Sequence, residues 1–318
     1  MEFSTEVMQR LELLKEKFDA QGQDLLPYLD GLLYAKTINY WDYIQVDTLL
    51  SLQKTNTDFP DETIFVVYHQ ITELYFKLAL HEFDQIANCQ QLDAAFFVSR
   101  VKRINRYFEA LTKSFEIMID GMEREQFLKF RMSLHPASGF QSAQYRKIEI
   151  CSTDLIQLMH KDVRGTLTGN ESEEVLFDNI YWKEGATDMT TGKKNLALID
   201  FENRYMQEFI DLAKAQRTNN LWQCYLRLKP EEREQYDVIQ ALKQNDVNVN
   251  VNWPLMHYKS AVRYLQRSQG ETDIPATGGT NWQKYLPPRF QKRIFYPELW
   301  SEDEQEEWGK SWVESVLN

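Results

Sequence analysis

Apolar residues recur along most of this chain at the three-to-four-residue spacing of a helical face. Over residues 4–19, Val7, Leu11, Leu14 and Phe18 form one such stripe. Pro60-Asp61-Glu62 predicts a helix start, with proline in the first turn and acids at the positive end of the helix dipole. The pattern carries that helix to about Asn88. Asp93 opens another long helix, in which Phe96, Val101, Ile104, Phe108, Leu111 and Phe115 lie at helical spacing, ending near Gly121. Residues 132–139 hold His, Pro and Gly and predict a loop, with a new helix from about Phe140. Helical patterns resume over 197–217 and 230–244, and the acidic run Ser301–Glu307 opens a last short helix.

Other stretches break the pattern. Residues 27–43 are rich in Tyr and Leu without a clear period, which predicts an irregular arm. Tyr43–Lys54 predicts a short helix with Val46, Leu49, Leu50 and Leu52 inward. Residues 163–196, with Gly165, Gly169, Gly185 and Gly192, are the most loop-like section, and 268–290 is a glycine- and proline-bearing loop. Asn245–Asn252 alternates apolar residues with asparagine; the period is a strand's, the composition that of a loop or cap before the helix carrying His257. There is no convincing strand and no internal repeat. The expected fold class is all-α, a multi-helix bundle in one domain over 1–318: an N-terminal helix and arm (1–44), then a helical core (45–318) with its loop-rich section at about 163–196.

Composition narrows the function classes. Hydrophobic residues make up 43% of the 318 residues, enough for a substantial core. A formal net charge of -12 disfavours nucleic-acid and anionic-membrane surfaces, which need basic patches. Cys89, Cys151 and Cys224 are widely separated and form no CxxC pair, so neither a disulfide framework nor a zinc or iron–sulfur site is expected. With no secretory leader and no apolar run of membrane-spanning length, a cytoplasmic location is expected.

The chain has five histidines, His69, His81, His135, His160 and His257, and none pairs with another at metal-ligand spacing. A haem needs only one axial imidazole from the protein, so such a chain is compatible with haem. His69 shares a helical face with Phe65, which suits a pocket wall holding a flat substrate; it equally suits a core histidine bonded to backbone or to Glu73, the better reading of the residues alone. Arg131 can grip a carboxylate with its planar fork, or sit on the surface. Ser138-Gly139 and Thr277-Gly-Gly-Thr280 offer backbone for close approach to a ligand, or ordinary loops. His257, beside Trp253, Leu255 and Met256, is an axial ligand or a structural histidine. None of these signals is specific by itself.

Together they are specific. The blocks Tyr40–Gln53, Asp61–Glu82 (with His69-Gln-Ile-Thr-Glu-Leu-Tyr-Phe-Lys), Phe130-Arg131 through Ser138-Gly-Phe-Gln-Ser-Ala-Gln-Tyr-Arg-Lys-Ile-Glu149, Trp253–His257, Thr277-Gly-Gly and Phe295–Trp300 resemble the tryptophan 2,3-dioxygenase family. The resemblance runs in blocks over about 40–318 and is poor across 163–250. It implies an all-helical homotetramer, a dimer of dimers, with one haem b per subunit and an N-terminal arm exchanged into the neighbouring active site. It implies His257 as the axial iron ligand, His69 as the catalytic distal histidine near the indole N–H, and Phe65 as the ring-packing residue. Arg131 is similar to the substrate-carboxylate clamp, and Thr277 to the residue near the substrate ammonium. Ser138 and Gly139 fall on the oxygen side; Tyr40, Tyr43 and Ile44 match arm and pocket residues, Tyr40 and Ile44 coming from the neighbour.

The implied reaction is cleavage of the indole C2–C3 bond of L-tryptophan by O2 to N-formylkynurenine, the first step of the kynurenine pathway. Three departures surround the amino-acid end of the pocket. Phe127 stands where the family commonly has tyrosine, Gly270–Pro275 is extra, and Thr280 replaces a serine. They admit an alternative: a haem-dependent aromatic oxygenase of the same superfamily acting on a modified tryptophan, another indole or tyrosine. A non-catalytic haem protein or helical interaction module is a third reading, against which the retained Arg131, His69 and Thr277 argue.

Overall fold

The computed structural model describes residues 3–137, 139–187, 191–266, 274 and 286–310. The chain divides into two units, 1–53 and 54–318. Among the described residues it is helical throughout, and β structure is limited to two isolated bridges, Met159 with Ile180 and Thr187 with Lys194.

In the first unit, α1 (Thr5–Ala20) is capped by Ser4, whose hydroxyl accepts from the Val7 N–H. Residues 27–43 are not irregular: α2 spans Leu26–Tyr34, and short helices cover Tyr40–Tyr43 and Val46–Leu50. Asp24 accepts from the Leu26 N–H at 3.0 Å, and Pro27 suits a helix start. The period was invisible because Leu-Pro-Tyr-Leu-Asp-Gly-Leu-Leu-Tyr is apolar on nearly every face. None of these helices carries a buried residue. Leu49, Leu50 and Leu52, expected inward, are exposed, because this unit is too thin to enclose them.

The second unit is built on α3 (Asp61–Ala87) and α4 (Ala94–Ser114), packed along each other. Asp93 caps α4 by accepting from the Phe96 N–H at 2.8 Å. Phe97, Val101, Ile104, Phe108 and Leu111 of α4 are all 0% exposed, so truncating any of these phenylalanines costs about 3–5 kcal/mol. Phe97, not Phe96, begins this face, since it lies one turn before Val101; Phe96 is half-buried beneath the Arg100 guanidinium. A 3-10 turn at Arg131–Leu134 leads past a cis His135–Pro136 bond toward α5 (Ala143–Ser152), which packs on α3 and on α6 (Leu196–Gln216).

Two expectations fail here for physical reasons. Section 163–196 contains helices at Glu173–Asp178 and Tyr181–Glu184, and buries Leu176, Phe177, Ile180 and Trp182. Its glycines separate these short elements. After α7 (Leu221–Arg227), a helix not anticipated, and α8 (Tyr236–Val247), the asparagine run is neither strand nor loop. Asn248–Asn252 is a π-helical turn leading straight into α9 (Trp253–Leu265). Asn248 and Asn250 are buried, and the amides bond to groups one turn back or on the neighbouring helix: Asn250 Nδ2 donates to Asp246 Oδ1 at 2.8 Å, Asn252 Nδ2 to Asn248 Oδ1 at 3.0 Å, and Asn248 Nδ2 to the Asn105 carbonyl at 3.5 Å. Val249 and Val251 are also fully buried, so the segment has no solvent face for a period to report.

Buried Asp246 ties this segment to the chain's later part. It accepts from the N–H groups of Phe295 (3.0 Å) and Tyr296 (3.2 Å) and from Trp300 Nε1 (3.0 Å). Burial pushes its pKa up to about 6, against the pull of those donors. The last short helix, Glu302–Glu306, starts with a capping box between Ser301 and Glu304.

Candidate active site

The second unit encloses a cavity of about 620 Å³, within the range of small-molecule and cofactor sites. Its walls come from α3, α5, α9 and the segments around residues 115–142, 181–185 and 286–293. The lining is mostly aromatic and aliphatic, with a few charged groups among them.

His257 enters from the second turn of α9. Its Nδ1 lies 3.0 Å from the Trp253 carbonyl oxygen, one turn back. A carbonyl only accepts, so Nδ1 carries the proton and Nε2 keeps its lone pair. The ring packs against Phe115 (4.6 Å between centroids) and edge-on to Trp253 (4.5 Å). Burial lowers its pKa to about 4, the Trp253 bond opposing and His69 adding a push in the same direction. The imidazole is therefore neutral at physiological pH.

His69, on α3, lines the same cavity. Its Nδ1 is 2.7 Å from the Phe65 carbonyl, which again leaves Nε2 as an acceptor. The backbone bond expected of a core histidine is thus present, but the side chain fronts the cavity. Its surroundings lower its pKa, chiefly by desolvation, with the Phe65 bond and Glu73 opposing. Glu73 also lines the cavity, and its carboxylate accepts from Ser142 Oγ at 2.6 Å and Gln144 Nε2 at 2.8 Å. The Phe65 ring lies 4.1 Å from the His69 ring and meets Phe130 edge-on at 5.8 Å.

Arg131 is buried, 4% exposed, in the turn after Phe130, and it lines the cavity. Desolvation lowers its pKa, so it stays a cation but favours an anionic partner. Phe127, one turn earlier, packs on Tyr264 at 4.6 Å and on Phe130 at 5.6 Å. Gly139 lines the cavity too, and a Cβ built there would meet nothing within 4 Å.

The structure thus brings Phe65, His69, Phe127, Arg131, Gly139 and His257 to one cavity. Ser138 and Thr277 lie outside the described residues. Tyr40, Tyr43 and Ile44 lie on the first unit and are 73%, 75% and 39% exposed. The sequence reading gave no role to Arg146, Tyr181 or Arg293, which also line the cavity. One signal was available: Arg146 and Glu149 are charged residues at i, i+3 among the apolar positions of α5.

Residues 32–174 match the family model for tryptophan 2,3-dioxygenase. The chain is 26% identical over 283 residues to tryptophan 2,3-dioxygenase of Ruegeria sp., covering 84% of this chain and 92% of that protein. It is 29% identical over 288 residues to the Bacillus cereus protein of the same name, with coverage of 84% and 92%. This chain is similar to the tryptophan 2,3-dioxygenases over most of its length. A shorter region of 126 residues, 36% of this chain and 34% of the other, is 42% identical to tryptophan 2,3-dioxygenase 2 of Ralstonia nicotianae. The family match spans Phe65, His69, Phe127, Arg131 and Gly139, and also Tyr40, Tyr43 and Ile44. His257 lies beyond it.

Proposed function

We propose that this chain is a haem-dependent dioxygenase that cleaves the indole C2–C3 bond of L-tryptophan to give N-formylkynurenine, the first step of the kynurenine pathway. One observation carries the reading. Two histidines, each donating from Nδ1 to a carbonyl one turn back in its own helix, front a single aromatic cavity that also holds a buried arginine.

The residues fit a haem b. A backbone-bonded Nδ1 is the usual partner arrangement of a metal-ligating histidine, and it leaves Nε2 of His257 as the donor atom. Among the described residues no group of three or more His, Cys, Asp or Glu offers another metal a site, whereas haem needs one axial imidazole. When bound, the haem supplies the oxygen chemistry. The protein supplies orientation. Arg131 takes the substrate carboxylate in a charge-assisted pair strengthened by its burial. Phe65 packs against the indole, and Nε2 of His69 accepts the indole N–H; Ser138 and Gly139 line the oxygen side, and Thr277 attends the ammonium. Holding the ring in one pose makes the reaction effectively intramolecular.

The exposed apolar residues of the first unit, Leu32, Leu33, Tyr40, Trp41 and Tyr43 among them, support arm exchange in a homotetramer, with Tyr40 and Ile44 supplied by a neighbour. No described helix is long and apolar enough to cross a membrane. The described cysteines are free, which supports a cytoplasmic setting. The test of the reaction is incubation of haem-loaded protein with L-tryptophan and labelled O2. Two label atoms in N-formylkynurenine are expected. Phe127, lacking a hydroxyl at the cavity wall, favours the second reading, a related aromatic oxygenase; one label atom in a hydroxylated ring would establish it, and no turnover would refute both.

A further inference from the structure

Arg146, on α5, and Arg293, after the turn at Pro288–Gln291, reach the cavity wall from distant parts of the chain. They are 7% and 6% exposed. Both converge on Glu149, which is 1% exposed: Arg146 Nη1 is 2.7 Å from Oε2, and Arg293 Nη1 pairs with Oε1. The Tyr181 hydroxyl sits among them. It donates to Glu149 Oε1 at 2.5 Å and accepts from Nη1 of Arg146 and of Arg293.

Formal charge does not balance in this cluster. Two guanidinium groups share one carboxylate, and burial raises the Tyr181 pKa, which keeps that phenol neutral. Arg164 is a third cation nearby, its pKa depressed by burial and by repulsion from Arg293. A buried charge without a counter-charge is unfavourable, so the wall is set to receive an anion. The guanidinium planes are held by rings: Arg146 lies 5.1 Å from Tyr145 and 5.7 Å from Trp182, and Arg293 lies 4.4 Å from Tyr181. The bonds to Glu149 and Tyr181 use only Nη1 of each fork.

Ring contacts link Arg146 to the helix that carries His257. Tyr145, beside Arg146, packs on Phe76 at 5.5 Å; Phe76 meets Trp253 at 5.8 Å, and the Trp253 carbonyl holds His257. Arg131 instead follows Phe130, which packs on Phe65 beneath His69. The two cationic sites stand on different elements of the cavity wall, Arg131 in the turn after Phe130 and the pair on α5 and the segment after Pro288–Gln291, and one amino-acid carboxylate needs only one of them.

We propose that Arg146 and Arg293, held on Glu149 by Tyr181, form an anion-binding wall of the cavity that His257 shares and take a propionate carboxylate of the haem. The inference rests on the haem reading above. Its test is titration of the apo-protein with protohaem and with protohaem dimethyl ester, which shares the ring and iron but lacks the anions. The wild type should bind the free acid about tenfold more tightly than the diester, as expected for a charge-assisted contact. Arg293→Met should bring that ratio close to one by weakening the acid alone. Glu149→Gln, nearly isosteric, removes the competing carboxylate and should raise the ratio; a purely structural cluster would weaken both forms alike. Equal wild-type affinities for acid and diester overturn the proposal, as does a ratio unchanged in Arg293→Met while its spectral Kd for L-tryptophan rises, which would move the pair to the substrate. Failure of both haem forms to bind would instead sink the haem reading.

Discussion

Axial ligation by His257 should be insensitive to mild acid. A histidine with the ordinary pKa of 6.5 is about 90% protonated at pH 5.5, and a ligand in that state loses about tenfold in affinity between pH 8 and 5.5. The His257 pKa is lowered to about 4 by burial, so at pH 5.5 only about 3% carries a second proton and the proton competes negligibly. The expected result is a protohaem affinity, read from the Soret band at pH 8, 7, 6 and 5.5, that stays level. His257→Gly supplemented with imidazole is the internal contrast. Free imidazole titrates in water without the cavity's desolvation, so rescue should weaken steadily as the pH falls below neutral. The same shift sets the sign for the apo-protein's stability. A depressed folded pKa gives stability that is present above 6.5 and lost as the pH falls through about 4, up to about 3 kcal/mol from this group. A tenfold drop in wild-type affinity by pH 5.5 would show that the cavity does not hold this ring neutral, and the ligand argument would lose its electrostatic basis.

Other perturbations probe the opposite wall and the scaffold. Arg131→Ala should raise KM for L-tryptophan about 10- to 100-fold with haem still bound, since it removes a charge-assisted contact; an unchanged KM excludes the clamp. His69→Ala should slow turnover but leave measurable activity and a normal haem content, and complete inactivity would mean His69 does more than position the indole. Phe127→Tyr adds a hydroxyl near the Arg131 turn and should lower KM about 2- to 10-fold; a rise would place the amino-acid end elsewhere. Asp246→Asn sets an amide N–H against donors that now face a carboxylate, leaving buried N–H groups unsatisfied, and should cost about 2 kcal/mol or more in a urea titration. An unaltered midpoint would mean that the link from the π-helical turn to Phe295–Trp300 contributes nothing to stability.

Sequence pattern sufficed wherever a helix has one wet face and one dry face. The helix Asp61–Ala87 and the start of Ala94–Ser114 were legible to within a residue or so because their cores repeat at helical spacing and Pro60 and Asp93 mark their starts; the second helix was expected to run to about Gly121 but stops at Ser114, and a separate short helix, Glu116–Asp120, takes up the rest of that apolar pattern. It failed where that contrast vanishes. Leu26–Tyr34 is apolar around its circumference, and Asn248–Val251 is buried around its circumference, so neither shows a period. In the second case Asn248 and Asn250 are interior, their amides bonded to Asn105 and Asp246, and a rule that reads asparagine as solvent-facing inverts the answer. The site divides in the same way. Phe65 and His69 share a helix turn, so their common face follows from spacing alone. The convergence of His69 and His257 on one cavity, like that of Arg146 and Arg293 on Glu149, joins distant segments, on which periodicity is silent. For the histidines the family resemblance supplied what spacing did not. For the arginines nothing did, because a charged residue in a helical pattern is by default assigned to the surface. The signal that overrides this default is local crowding: Arg146 follows Tyr145 and Glu149 sits between Ile148 and Ile150, so both charges fall among the apolar positions of their helix. A charge that cannot reach water must meet another charge, and two cations drawn to one carboxylate leave that wall of the cavity one anion short.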